Sequence, residues 1–181
     1  MDELFPAPSA GFDHPLEILE GCHQRIRRNC TLIERIARHV ATKGNDDEAR
    51  QACRSVMRYF DDAGRNHHRD EEEGLFPALE RRATGADVAL VGALVERLRR
   101  EHVELDALWS EMRSRLEGVA RGNYSGVTPD AATLFTRSYE RHMEIEEASL
   151  FPLARRLLDA PTIAVLGLAM AARRGVTPPG K

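Results

Sequence analysis

The stretch HHRDEEEGLFP, residues 67–77, returns 75 residues later as HMEIEEASLFP, residues 142–152. Both read His, three residues, Glu-Glu, two residues, Leu-Phe-Pro. The comparison selects a register. It aligns His67 and Glu71, rather than His68 and Glu72, with His142 and Glu146. Donors four residues apart share one helix face and stand about 6 Å apart along the axis. The likeness also extends upstream, because Phe60 precedes His67 by seven residues and Phe135 precedes His142 by seven.

Around these repeats the apolar residues recur at three- and four-residue steps, which predicts helices. Leu16, Leu19, Ile26, Leu32, Ile33, Ile36 and Val40 mark a first helix that Lys43-Gly44-Asn45 ends. A second starts near Asp46 as N-cap and reaches at least Leu75, with Pro77 expected to kink or interrupt it and Thr84-Gly85 to stop it. A third runs from about Asp87 to about Val119. Thr128 caps a fourth, with Pro129 suited to its first position, and that helix runs to about Leu158. Pro161 to Ala172 reads as a short extra helix. The expected fold is all-α: an antiparallel up-down-up-down four-helix bundle with a short C-terminal helix. Residues 1–15 form an N-terminal arm, 16–158 the bundle, and 159–181 the short helix and a tail.

The totals agree. The chain has 181 residues, 42% of them hydrophobic and 30% charged, with few aromatics at 6% and a formal net charge of −3. That describes a globular chain built from helix formers. No basic block suggests nucleic acid. The longest mostly apolar stretch, residues 160–172, is too short to span a bilayer, so no membrane partner is expected. The N-terminus has no apolar core of a secretory signal. Cys22, Cys30 and Cys53 are odd in number and form no C-x-x-C, so no disulfide framework is expected and a cytoplasmic setting is the default.

The chemistry lies in the histidines. Leu19 and Ile26 flank His23 as Leu98 and Leu105 flank His102, so each histidine sits on the apolar stripe of its helix. Six polar residues therefore point inward: His23, His67, Glu71, His102, His142 and Glu146. Two buried carboxylates without compensation cost several kcal/mol, and neutral imidazoles do not neutralise them. Metal cations do, and this donor mixture suits iron, manganese or zinc. If each carboxylate bridges, the six supply four donors to each of two ions. A closed structural zinc site needs four donors and no vacancy, whereas octahedral ions sharing one oxygen bridge would keep open positions for dioxygen, peroxide or nitric oxide.

These residues resemble the hemerythrin-like (HHE cation-binding) domain family. The resemblance rests on His23, on H67-HRD-E71-E-EG-LFP, on the Glu101-His102 pair and on H142-MEI-E146-E-AS-LFP, and covers about residues 16–158. It implies a bundle holding two iron ions, oxo- or hydroxo-bridged, with His23, His67, Glu71, His102, His142 and Glu146 as metal ligands and both glutamates as bridges. Dioxygen and related small oxidants are the implied partners. The chain departs from the oxygen carriers, which have a fifth histidine on the third helix. Here Leu98 and Asp106 stand one turn either side of His102, and Asp106 reads equally as a ligand, a ligand's partner or an edge residue. Four functions stay open: a di-iron protein of oxidative or nitrosative stress response or sensing, iron storage or delivery including iron–sulfur cluster repair, a di-metal oxidase of an organic substrate, and a metal-free bundle. His68 is expected to face solvent or a helix interface, Glu72 and Glu147 a solvated face, and Trp109 and Tyr139 the core. His14 and His39 lie too far from His23 to share its site.

Overall fold

In the computed structural model, which describes residues 11–123 and 126–176, five helices carry the chain and no strand occurs among these residues. Helix α1 spans Pro15–Lys43, with proline at its first position, and ends at Gly44, whose φ of 92° only glycine adopts without strain. Helix α2 covers residues 47–82 and α3 covers Asp87–Ala120. Helix α4 covers residues 129–157, and α5 covers Ala160–Arg173. Asp46 and Thr128 cap as expected: their side chains accept hydrogen bonds from the backbone N–H of Ala49 and Ala131. Most of the N-terminal arm, the loop residues 124–125 and the tail from 177 lie outside the described residues.

Each long helix packs on its chain neighbours, and α1 closes the ring against α4. The core is divided. One apolar cluster holds Leu16, Leu19, Phe76, Leu98 and Phe151. The other holds Ile26, Ile33, Phe60, Leu105, Leu116 and Phe135. A layer of buried histidine and glutamate lies between them. Reading along the chain, α1 and α3 leave the first cluster for the second, and α2 and α4 return. Successive helices therefore cross the layer in opposite senses.

Neither proline of the repeats ends its helix; the interruption expected at Pro77 takes the form of a π turn directly before it. A mid-helix proline forfeits a backbone hydrogen bond and crowds the carbonyl four residues before it. Here a π-helical turn precedes each one: Glu71–Leu75 before Pro77 and Glu146–Leu150 before Pro152. The N–H of Phe76 reaches back five residues to the Glu71 carbonyl, and that of Phe151 to the Glu146 carbonyl. The wider turn gives the ring room, and α-helix resumes to Arg82 and to Leu157. The extra residue in each turn also carries both members of Leu75-Phe76 and of Leu150-Phe151 inward. A third π turn, Phe60–Gly64, exists in α2 and has no counterpart in α4. The two halves of the chain differ there.

Helix α5 lies against α1 and α2. Its Gly167 lets the chain before α1 approach closely, since a β-carbon would sit 1.8 Å from the Phe12 carbonyl oxygen. Arg173 and Arg174 both pair with the buried Asp70 of α2, and Arg173 also reaches Glu73 at 2.7 Å.

Leu116, fully buried in the second cluster and remote from the polar layer, provides a test of this packing. Leu116→Ala is expected to cost about 2–5 kcal/mol in chemical denaturation. Val103→Ala, at an exposed position of the same helix, should stay within about 0.5 kcal/mol.

Candidate metal centre

The six inward residues predicted from the sequence meet in the polar layer, and each is at most 2% exposed. Helix α1 brings His23, α2 His67 and Glu71, α3 His102, and α4 His142 and Glu146. Each carboxylate reaches toward two helices. Glu146 sets one oxygen 3.0 Å from His23 Nε2 and the other 2.9 Å from His142 Nε2. Glu71 sets one oxygen 3.8 Å from His67 Nε2 and the other 3.4 Å from His102 Nε2. Their candidate donor atoms form two groups, each within 4.8 Å: His23, His67, Glu71 and Glu146 in one, and His102, His142, Glu71 and Glu146 in the other. Both carboxylates belong to both groups, which is the arrangement that carboxylates shared by two ions require.

The residues fit a cation by a second criterion. Buried polar atoms almost always find a hydrogen-bond partner. Among the described residues, ten buried side-chain nitrogen and oxygen atoms find none, and nine of these belong to the six. They include Nε2 of all four histidines and all four carboxylate oxygens. The close contacts above lack hydrogen-bond geometry. The atoms face one another as lone pairs around a shared centre do.

The outward faces of three imidazoles are held by carboxylates, two of which, Glu72 and Glu147, were expected on a solvated face. His23 Nδ1 lies 2.8 Å from Glu147 Oε1, His102 Nδ1 2.7 Å from Glu72 Oε1, and His142 Nδ1 3.0 Å from Glu101 Oε2. An ionised carboxylate only accepts, so Nδ1 carries the proton in each pair and the Nε2 lone pair faces inward. That is the tautomer a metal ligand needs. The Glu-Glu doublet now has a division of labour. Its first residue enters the cluster, and its second, about 100° further round the helix, holds a histidine of the neighbouring helix. The repetition of the doublet was the signal in the sequence. Arg27 in turn clamps Glu147 at 2.8 and 3.0 Å. His67 is the exception, since neither of its nitrogens has a partner. Glu101 precedes His102, and the matching position before His23 is Cys22, whose sulfur accepts from Arg25.

The remaining candidates fall as follows. His68 is buried at a helix interface, its ring 4.1 Å from that of His102. Asp106 is largely exposed and approaches His68 at 3.6 Å, away from the cluster. Tyr139 is core, as expected. Trp109 is only partly buried, stacks on Phe60 and donates to Asp61. His14 lies near Glu17, and His39 bonds Asp46, so neither joins the site.

Without a cation, protons take its place. Burial, then the repulsion of Glu146, pushes the Glu71 carboxyl up to about 7. Burial opposes the charged form of Glu146 too, but His142, His102 and His23 outweigh it and hold that carboxyl well below the usual range. Burial likewise opposes the charge on His102, and Glu146, Glu71 and Glu72 overcome it, raising the imidazole to about 11. His67, buried and facing His23 with no carboxylate hydrogen bond, is pushed down.

Fold and site together define a class: a helical bundle whose core holds a buried cluster of four histidines and two glutamates suited to two metal ions. The sequence comparison is consistent with this class. The hemerythrin HHE cation binding domain family matches residues 14–154, and the chain belongs to that family. It is also similar to an uncharacterized protein of Haemophilus influenzae, 27% identical over 176 residues, which covers 97% of this chain and 99% of the relative. No helix among the described residues is long and apolar enough to cross a membrane.

The proton arrangement predicts a pH profile. His102 folds with its pKa raised, so its stabilising contribution is complete below its ordinary 6.5 and is lost as pH rises through about 11. Glu71 adds a loss of the same sign between 4.5 and about 7. The melting temperature of chelator-stripped protein should therefore fall between about pH 7 and 10 in a thermal-shift series, and His102→Gln should flatten that fall.

Proposed function

We propose that the chain is a non-haem di-iron protein that binds or reacts with dioxygen, peroxide or nitric oxide, in oxidative or nitrosative stress response or sensing. His23 and His67 would hold one ion and His102 and His142 the other, with Glu71 and Glu146 bridging. The observation that carries this reading is the set of nine unpartnered buried atoms on six residues, and those residues sort into two groups that share both carboxylates. Bound there, two irons would supply one-electron redox chemistry and open positions for a small oxidant. Manganese and zinc accept the same donors, but zinc would supply no redox chemistry.

The chain's own residues do the rest. The carboxylates on Nδ1 of His23, His102 and His142 fix the rings and raise the basicity of the inward nitrogens. The apolar clusters above and below the layer exclude water and lower the local dielectric, which strengthens each charge interaction inside it. The metal-free reading is disfavoured because the six residues leave nine atoms unsatisfied when they pair only with one another.

Anaerobic reconstitution with Fe(II) should load two irons per chain, and air should then develop the absorption band of an oxo-bridged ferric pair. Iron bound with no spectral change on oxidation would sink the redox reading. Glu72→Leu and Glu147→Leu should each lower metal affinity about 10–100-fold in competition with a chelator, whereas Glu73→Leu, outside this network, should leave it unchanged.

A further inference from the structure

A cleft of about 330 Å³ opens between α2 and α3, walled by Phe60, Gly64, His68, Asp106, Trp109 and Tyr139. Two of these residues, Phe60 and Gly64, bound the π turn that α2 has and α4 lacks. A β-carbon at Gly64 would stand 3.1 Å from the Phe60 ring, so a larger residue there would push that wall of the cleft. The departure from the internal repeat and the cleft are the same feature.

His68 forms the inner end. Its ring is sandwiched between Tyr139, 6.3 Å away with planes 13° apart, and His102, 4.1 Å away with planes 12° apart. The His142 ring lies 6.0 Å away, nearly perpendicular. Donor atoms of His68, His102 and His142 lie within 4.8 Å of one another, but the stacking sets the His68 ring plane apart from that of His102. Imidazole binds a metal in its ring plane at about 2.0–2.1 Å, and one ion cannot lie in two near-parallel planes stacked at the distance between His68 and His102. His68 therefore covers the His102–His142 side without sharing its ion. The opposite half is packed differently, with Phe151 5.3 Å from His23 and both His23 and His67 buried.

We propose that this cleft is the path by which a small polar molecule reaches the cluster, arriving on its His102–His142 side, with His68 as the gate at its inner end. The proposal rests on the di-metal reading above and adds to it a route, a side and a class of ligand. Three arginines, Arg65, Arg69 and Arg113, and three carboxylates, Asp61, Glu72 and Asp106, line the cleft. Their charges cancel, so the mouth does not concentrate ions of one sign. Its selection is for size and hydrogen bonding, which suits a molecule as small as hydrogen peroxide or azide. The charged lining also disfavours the extended apolar substrate of an organic oxidase.

The test uses the iron-loaded, oxidised full chain and azide, whose binding is followed by its charge-transfer absorption after rapid mixing. Ser110 lines the outer cleft on an exposed position of α3 and touches none of the six. Ser110→Phe should slow azide association about tenfold or more while iron content and oxidised spectrum stay unchanged. Leu134→Phe, at an exposed position of α4 outside the cleft, should have no effect. His68→Ala should keep two irons per chain and speed association. An association rate unchanged by both cleft variants would overturn the path, and loss of iron from His68→Ala would show a ligand where we place a gate. Iron analysis of the unsubstituted protein comes first. Its failure to bind iron would remove the di-metal reading and the path together, whereas iron bound with rates unaffected would remove the path alone.

Discussion

The interaction on which the structure depends is the confinement of two carboxylates, Glu71 and Glu146, in one buried layer. Left alone they repel, and burial penalises the charge on each. The chain answers by surrounding them with four imidazoles and leaving the facing lone pairs without hydrogen-bond partners. A bundle stabilised only by apolar packing would gain nothing from this layer, because well-packed hydrophobic residues of the same volume are usually as stable or more so. Its presence at the junction of two apolar clusters is a functional expense.

Much of the irregularity of the fold serves the layer. Glu71 and Glu146 each open a π turn, and each turn ends where Phe-Pro begins. The turn resets the helix by one residue, so that a carboxylate and the bulky Leu-Phe pair behind it can both point inward. The proline then marks where regular α-helix resumes. Outside the layer, Glu72, Glu101 and Glu147 tie each imidazole they hold to another helix, so the cluster is braced between helices rather than within them.

Internal symmetry made the site legible before any coordinates. His67-x-x-x-Glu71 and His142-x-x-x-Glu146 repeat one another, and His23 and His102 occupy equivalent places on their apolar stripes. A helical period converts that recurrence directly into inward direction, and all six residues meet in the structure. The helix ends were equally readable, because Asp46, Thr128 and the glycines after α1 and α3 act through local backbone chemistry. The errors arose where the answer lay on a different helix. Glu72 and Glu147 project off the apolar stripe, and periodicity alone assigns such residues to solvent. Only the neighbouring helix shows that a histidine waits there. The form of the interruption at Pro77 was not readable for a related reason: an α-helical period has no place for the extra residue of a π turn.

The amino-acid sequence by itself determined the helices, their inward faces and the identity of the six clustered residues, because these follow from spacings of three, four and seven along one chain. The tertiary structure decided how the six divide into two groups sharing both carboxylates, which glutamate steadies which imidazole, and that His68 takes a helix interface beside a cleft rather than solvent. Those are distances between residues on different helices. They depend on helix rotation and separation, which are set by packing and by a π turn that only one half of the chain contains.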